Sequence, residues 1–206
     1  MKATYQGFEV KRRGGGVQLP PVGAYEAEIQ GVRLEKSYSG DRDVLVMMLE
    51  ITDGEYKGQY HKVFEDQKER FGGDVKYRGT FRLYPPLIEN DDPWIKEKWE
   101  TNLWCVSDSN GTKSDGSYIY VWDWDEQKLK GKKVGINVRE RYYTGRDGKE
   151  HVTTEIGQLE SINDIRKGKY KVLKPRGKKS EETPTAPAEG FTGIELGEAD
   201  QVEVPF

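Results

Sequence analysis

Three stretches of the chain interleave flat rings with cations, the pairing needed to hold an unpaired nucleic-acid strand. The first is Lys36-Ser37-Tyr38-Ser39-Gly40-Asp41-Arg42, where Lys36, Tyr38 and Arg42 are the candidate contacts. The second is Tyr60, Lys62 and Phe64, which alternate so that an extended chain places all three on one side. One of those two rings could instead serve the core. The third holds Arg139, Arg141 and Tyr143 on one side by the same alternation, with Arg146 and Lys149 beyond them. Rings stack on bases and cations neutralise phosphates, so such contacts tolerate any sequence and weaken with salt. Lys11-Arg12-Arg13 near the N-terminus adds a further set of cations.

Residues for covalent or metal chemistry are sparse. His61 and His151 are the only histidines, Cys105 is the only cysteine, and none is spaced as a zinc site. No glycine-rich stretch ends in Gly-Lys-Ser/Thr before a helix, so no phosphate-cradling loop of that kind is predicted. Asp91-Asp92 could approach a metal, yet Asp92 followed by Pro93 is accounted for as a helix cap. No catalytic residue, metal ligand or cofactor is therefore assigned, and no enzyme is expected; a nuclease using Asp91 and Asp92 is the enzymatic alternative. Sequence-specific reading is not expected either, because no helix-turn-helix, zinc-finger or basic-zipper pattern occurs.

The elements that must position these residues follow from apolar period and turn signals. Tyr25, Ala27 and Ile29 alternate with Glu26, Glu28 and Gln30, which predicts a strand from Gly23 to Glu35. Asp43 to Thr52 reads as a second, largely buried strand, and Gly58 to Glu65 as a third after the Asp53-Gly54 turn. Residues 66–90 have no clean period. Ile95, Trp99, Leu103 and Val106 then recur at helical spacing, which predicts a helix over 93–107 and puts Trp99 in the core. Tyr118 to Trp122 reads as a further short strand, with Trp122 in the core. Lys133 to Thr144 and Glu150 to Leu159 alternate on either side of Gly145-Arg146-Asp147-Gly148, the clearest hairpin in the chain. The Trp-rich region 94–124 matches no ligand role.

Composition divides the chain in three. Only 34% of the residues are hydrophobic and 33% are charged, which suits one ordered domain with segments that do not fold. Residues 1–19 read as a flexible basic arm, 20–175 as the folded domain, and 176–206 as a disordered acidic tail. Seven of the 36 acidic residues and none of the 33 basic ones lie at or after Ser180, which leaves 29 acids against 33 cations in residues 1–179. A basic body attracts polyanions that the tail repels. The run Val44 to Leu49 is too short to span a bilayer and no signal peptide is read at the N-terminus, so no membrane partner and a cytoplasmic location are expected. The unpaired Cys105 fits a reducing compartment.

Three meandering strands, a helical interruption and a hairpin follow the strand order of a mainly β, five-stranded OB-fold barrel, with the helix inserted between strands three and four. The segment Asp200, Glu203, Val204, Pro205 and Phe206 is similar to the acidic, Pro-Phe-ended tail of bacterial single-stranded DNA-binding proteins. The body resembles the phage-encoded family of single-stranded DNA-binding proteins. The resembling segments are Gly23-Ala24-Tyr25-Glu26-Ala27-Glu28-Ile29, Glu50 to Gly58, Leu129 to Gly135 and Ile162 to Tyr170. The resemblance implies an OB fold that coats single-stranded DNA in phage replication or recombination, in the host cytoplasm. It also implies that the five tail residues dock replication or recombination proteins. Homo-oligomerisation stays open, and the competing expectation is an interaction adaptor whose barrel binds no nucleic acid.

Overall fold

In the computed structural model, which describes residues 16–87, 92–111 and 125–177, apolar alternation builds one antiparallel sheet. Its strands are β1 (Gly23–Lys36), β2 (Asp43–Ile51), β3 (Thr80–Leu83), β4 (Lys133–Thr144) and β5 (Glu150–Glu160), in the order β3-β2-β1-β4-β5. Among the described residues these are accompanied by α1 (Gln59–Phe71), α2 (Pro93–Ser109), a single 3-10 turn over Glu126–Leu129 and the short α3 (Ile162–Arg166). No described helix is long and apolar enough to cross a membrane.

Register carries every second side chain into one core. Ile29 pairs with Leu49, Ala27 with both Ile51 and Val134, Met47 with Phe81, and Ile136 with Leu159, and all of these are buried. Burying each large aliphatic side chain contributes roughly 1.5–3 kcal/mol. Helix α2 lies on this core through Trp99, Leu103 and Val106, which recur on one helical face. Its start is set by Asp92, whose Oδ1 accepts the Trp94 backbone N–H at 3.1 Å, and by Pro93, whose missing N–H costs nothing there.

The stretch expected as a third strand, Gly58 to Glu65, is instead the beginning of α1. Gly58 sits at φ 70°, a left-handed conformation that breaks an extended run before it starts. The first free N–H groups of the helix are satisfied from the sheet: Glu50 accepts from Tyr60 N at 3.1 Å and from His61 N at 2.6 Å. The Tyr77 hydroxyl donates to the same carboxylate at 2.8 Å. Burial follows a helical step, with Tyr60 and Val63 inside, so the apparent alternation of Tyr60, Lys62 and Phe64 is not a strand face.

The sheet is also open, and the expected OB barrel does not form. No ladder joins β3 to β5, and closure requires every edge to be paired. The residues expected to supply a long third strand are helical, and β3, which takes that place beside β2, is four residues long. The architecture is a mixed α/β fold on a five-stranded antiparallel sheet, which overturns the resemblance to OB-type, phage-encoded single-stranded DNA-binding proteins. The short strand expected at Tyr118 to Trp122, most of the arm and all but the first two residues of the tail lie outside the described residues.

Candidate nucleic-acid interface

The two unpaired edges of the sheet, β3 and β5, come near each other and line a groove of about 310 Å³. Seven cations line it: Lys76, Arg78, Arg82, Lys98, Arg139, Arg141 and Arg176. The one carboxylate among the lining residues is Glu155. It accepts from Arg139 Nε at 3.1 Å and Nη2 at 2.9 Å, and it lies 3.5 Å from a guanidinium nitrogen of both Arg141 and Arg176. Three guanidinium groups thus share one carboxylate. Lys98 reports the same crowding: partial burial, then the neighbouring Arg139 and Arg176, hold its ammonium below the ordinary lysine range. A bound polyanion would relieve that repulsion.

Local structure explains why these cations meet. The ladder between β4 and β5 shifts register so that Gly157 is the extra residue of a bulge, a device that re-aims side chains. A Cβ on Gly157 would lie 2.9 Å from Arg139 Cδ and 2.7 Å from Leu173 Cδ1, so a larger residue there would push the Arg139 and Leu173 side chains aside. Pairing of β1 with β4 stops at Gly23 and Val138, and the chain beyond α3 fills part of the vacated edge. There Arg176 N donates to Glu140 O at 2.9 Å and Tyr142 N donates to Arg176 O at 2.8 Å, which carries the Arg176 side chain to the groove.

An aromatic cleft of about 510 Å³ continues the groove, sharing Arg82 and Lys98 with it. Tyr38, Tyr84 and Trp94 line the cleft, with Arg42 among the residues beside them. Tyr38 is fully exposed and Trp94 is 60% exposed, which is unusual for rings that a core could have buried. The Tyr38 loop is pinned from below: Ser37 and Ser39 hydroxyls donate to Asp41, which holds that carboxyl below its usual range, and Ser37 N donates to Arg42 O at 2.8 Å. Lys98 Nζ stands 5.1 Å from the Trp94 ring centroid, one helical turn along α2.

Of the residues expected to contact a strand, Tyr38, Arg42, Arg139 and Arg141 are brought to this continuous surface. Lys36 ends β1 in an ion pair with Asp43 at 2.7 Å. Tyr60 is buried in the core and offers no face to a base. Lys62 is exposed on α1, and Phe64 packs edge-on to Tyr77 beside a cavity of about 950 Å³ that adjoins the groove at Lys76, Tyr77, Thr80 and Arg82. Tyr143 stacks on His151, whose Nε2 lies 3.0 Å from Asp147, while Arg146 and Lys149 are exposed at the hairpin tip; none of these lines the groove. Asp200, Glu203, Val204, Pro205 and Phe206 lie outside the described residues, as does Asp91.

Lys76, Arg78, Arg82, Tyr84, Trp94, Lys98 and Arg176 also line this surface and were not singled out by the sequence reading. Lys76-Tyr77-Arg78 and Arg82-Leu83-Tyr84 do interleave cations with rings, but in a tract without a period to say which way they face. Trp94 and Lys98 stand four apart on the predicted helix, a spacing that puts them side by side.

Burial, followed by the nearby Glu160, Asp164 and Asp108, pushes the Cys105 thiol up to about 12, so it stays protonated at neutral pH. Among the described residues, no three or more His, Cys, Asp or Glu side chains group as metal ligands. A scan of the chain against protein-family models found no match, and a search of curated proteins found none either.

Proposed function

We propose that this protein binds single-stranded DNA without reading its sequence, with phosphates along the cationic groove and bases against the exposed rings of the adjoining cleft. The observation that carries this reading is the adjacency of the two: seven cations and one carboxylate line the groove, with Arg82 also paired to Glu35 at 2.9 Å, and Arg82 and Lys98 carry that surface on to Tyr38, Tyr84 and Trp94. Charge alone would suit duplex as well. Exposed rings beside the charge favour unpaired strands, whose bases have free faces.

Titration of tryptophan fluorescence with a dT oligonucleotide tests it. Quenching through Trp94 is expected, with log K falling against log salt by about 0.7 per phosphate contacted. Duplex of equal length bound as tightly as the single strand would sink the reading. Absence of binding at low salt would favour a protein-interaction adaptor.

The proposal extends to the acidic segment, where Asp200, Glu203, Val204, Pro205 and Phe206 dock replication or recombination proteins, in the cytoplasm. Its support is chemical: an acidic stretch leading to Pro-Phe suits a hydrophobic pocket with a basic rim. Deleting residues 181–206 removes seven acids that compete with DNA for the body. The truncated chain is expected to bind oligonucleotide equally or more tightly; weaker binding would show that the segment takes part in holding DNA.

A further inference from the structure

From Arg166 to Arg176 the chain beyond α3 carries six cations and no carboxylate. Arg166 is committed to the fold: its guanidinium meets the Glu26 carboxylate through two nitrogens, at 2.7 and 2.8 Å. Arg176, at the other end, lines the groove. Lys167, Lys169, Lys171 and Lys174 lie between them and are exposed, and no ion pair among the described residues involves any of the four. The arginines of the groove, by contrast, share Glu155 and Glu35. A polyanion in the groove therefore meets its next uncompensated positive potential along this lysine-bearing segment.

A run of lysines is commonly a solvated face on a shifting chain. Here the backbone is fixed at intervals. Lys169 N donates to Asp164 O at 2.8 Å, and the buried Asn137 donates Nδ2 to Lys171 O, also at 2.8 Å. Leu173 reaches the bulge at Gly157, which itself lines the groove, and Arg176 is held to β4 by its own N–H and C=O. Little ordering of the backbone is left for binding to impose. The seven steps from Lys169 to Arg176 span at most about 25 Å. Along that line each lysine presents a point charge on a flexible four-carbon stem, which suits phosphates of any local geometry.

We propose that this segment continues the strand path: DNA leaving the groove at Arg176 lays further phosphates along Lys174, Lys171 and Lys169. The inference rests on the single-strand reading above and adds to it a dependence on length. A strand that fills only the groove and the cleft does not meet these lysines, whereas a longer one does.

The experiment titrates dT strands of about 8 and about 20 nucleotides into the full chain, wild type and carrying Lys169→Gln, Lys171→Gln and Lys174→Gln together, across a range of salt. Three lost phosphate contacts should flatten the log K against log salt slope of the long strand by about 2, and leave the slope of the short strand unchanged. In the wild type, the long strand should also protect these three lysines from amine acylation, and the short strand should not. An unchanged slope for the long strand in the variant, or an equal loss for both lengths, overturns this inference and leaves the single-strand reading standing. Should the variant fail to fold, the acylation pattern decides alone, and lysines left unprotected by the long strand overturn the inference. Failure of both strands to bind the wild type overturns both readings.

Discussion

Replacing Lys98, Arg141 and Arg176 together with alanine is expected to weaken dT oligonucleotide binding about 100-fold at low salt. Each phosphate left without its cation lowers the magnitude of the log K against log salt slope by about 0.7, so the slope should flatten by about 2. All three side chains reach the surface, Lys98 with part of its length covered, and none belongs to the core. Arg139 is left in place because it makes the two-nitrogen contact to Glu155 and lies across Gly157. Removing Arg141 and Arg176 leaves Arg139 and Glu155 as a balanced pair, and removing Lys98 takes away an ammonium that partial burial and the flanking guanidinium groups disfavour. The melting temperature should therefore hold or rise while binding falls. A triple variant with the wild-type salt slope would show that DNA runs elsewhere on the molecule.

The second large effect is expected from the rings. Tyr38→Ala with Trp94→Ala should weaken oligonucleotide binding at least tenfold, since each stacked base contributes about 1–3 kcal/mol. The salt slope should stay near its wild-type value, because every cation that meets a phosphate is still in place. That combination separates stacking from charge: the cation variant changes slope and affinity together, the ring variant affinity alone. Both rings are exposed, Tyr38 completely and Trp94 by 60%, so stability should change little. Anisotropy of a labelled oligonucleotide is the readout, because the variant lacks the tryptophan that reports quenching. Unchanged affinity would mean that the rings serve something other than bases.

Several elements could be read before any coordinates. The hairpin of β4 and β5 declares itself through the alternation of Val134, Ile136 and Val138 and a Gly-Arg-Asp-Gly turn, and α2 through Asp92-Pro93 followed by apolar residues at helical spacing. Both signals are local, so neighbouring residues suffice to decode them. Tyr60, Lys62 and Phe64 show the limit. Over so short a stretch, positions two and four apart cannot tell strand from helix, and the deciding partner is Glu50, which reaches the first N–H groups of α1 from a different element. Once α1 is helical, β3 falls to the short Thr80–Leu83 segment and the sheet cannot close.

The site divides in the same way. The residue types needed to grip a strand, and a basic body set against an acidic segment, are properties of composition and local order, and the sequence by itself determined them. Which cations converge was decided by tertiary structure. Arg82 comes from a short edge strand, Lys98 from α2, Arg139 and Arg141 from the hairpin, and Arg176 from a segment threaded back beside β4. Electrostatic potential depends on distance in space, so residues up to 100 positions apart in the chain act as one cluster only after the sheet brings its two edges together.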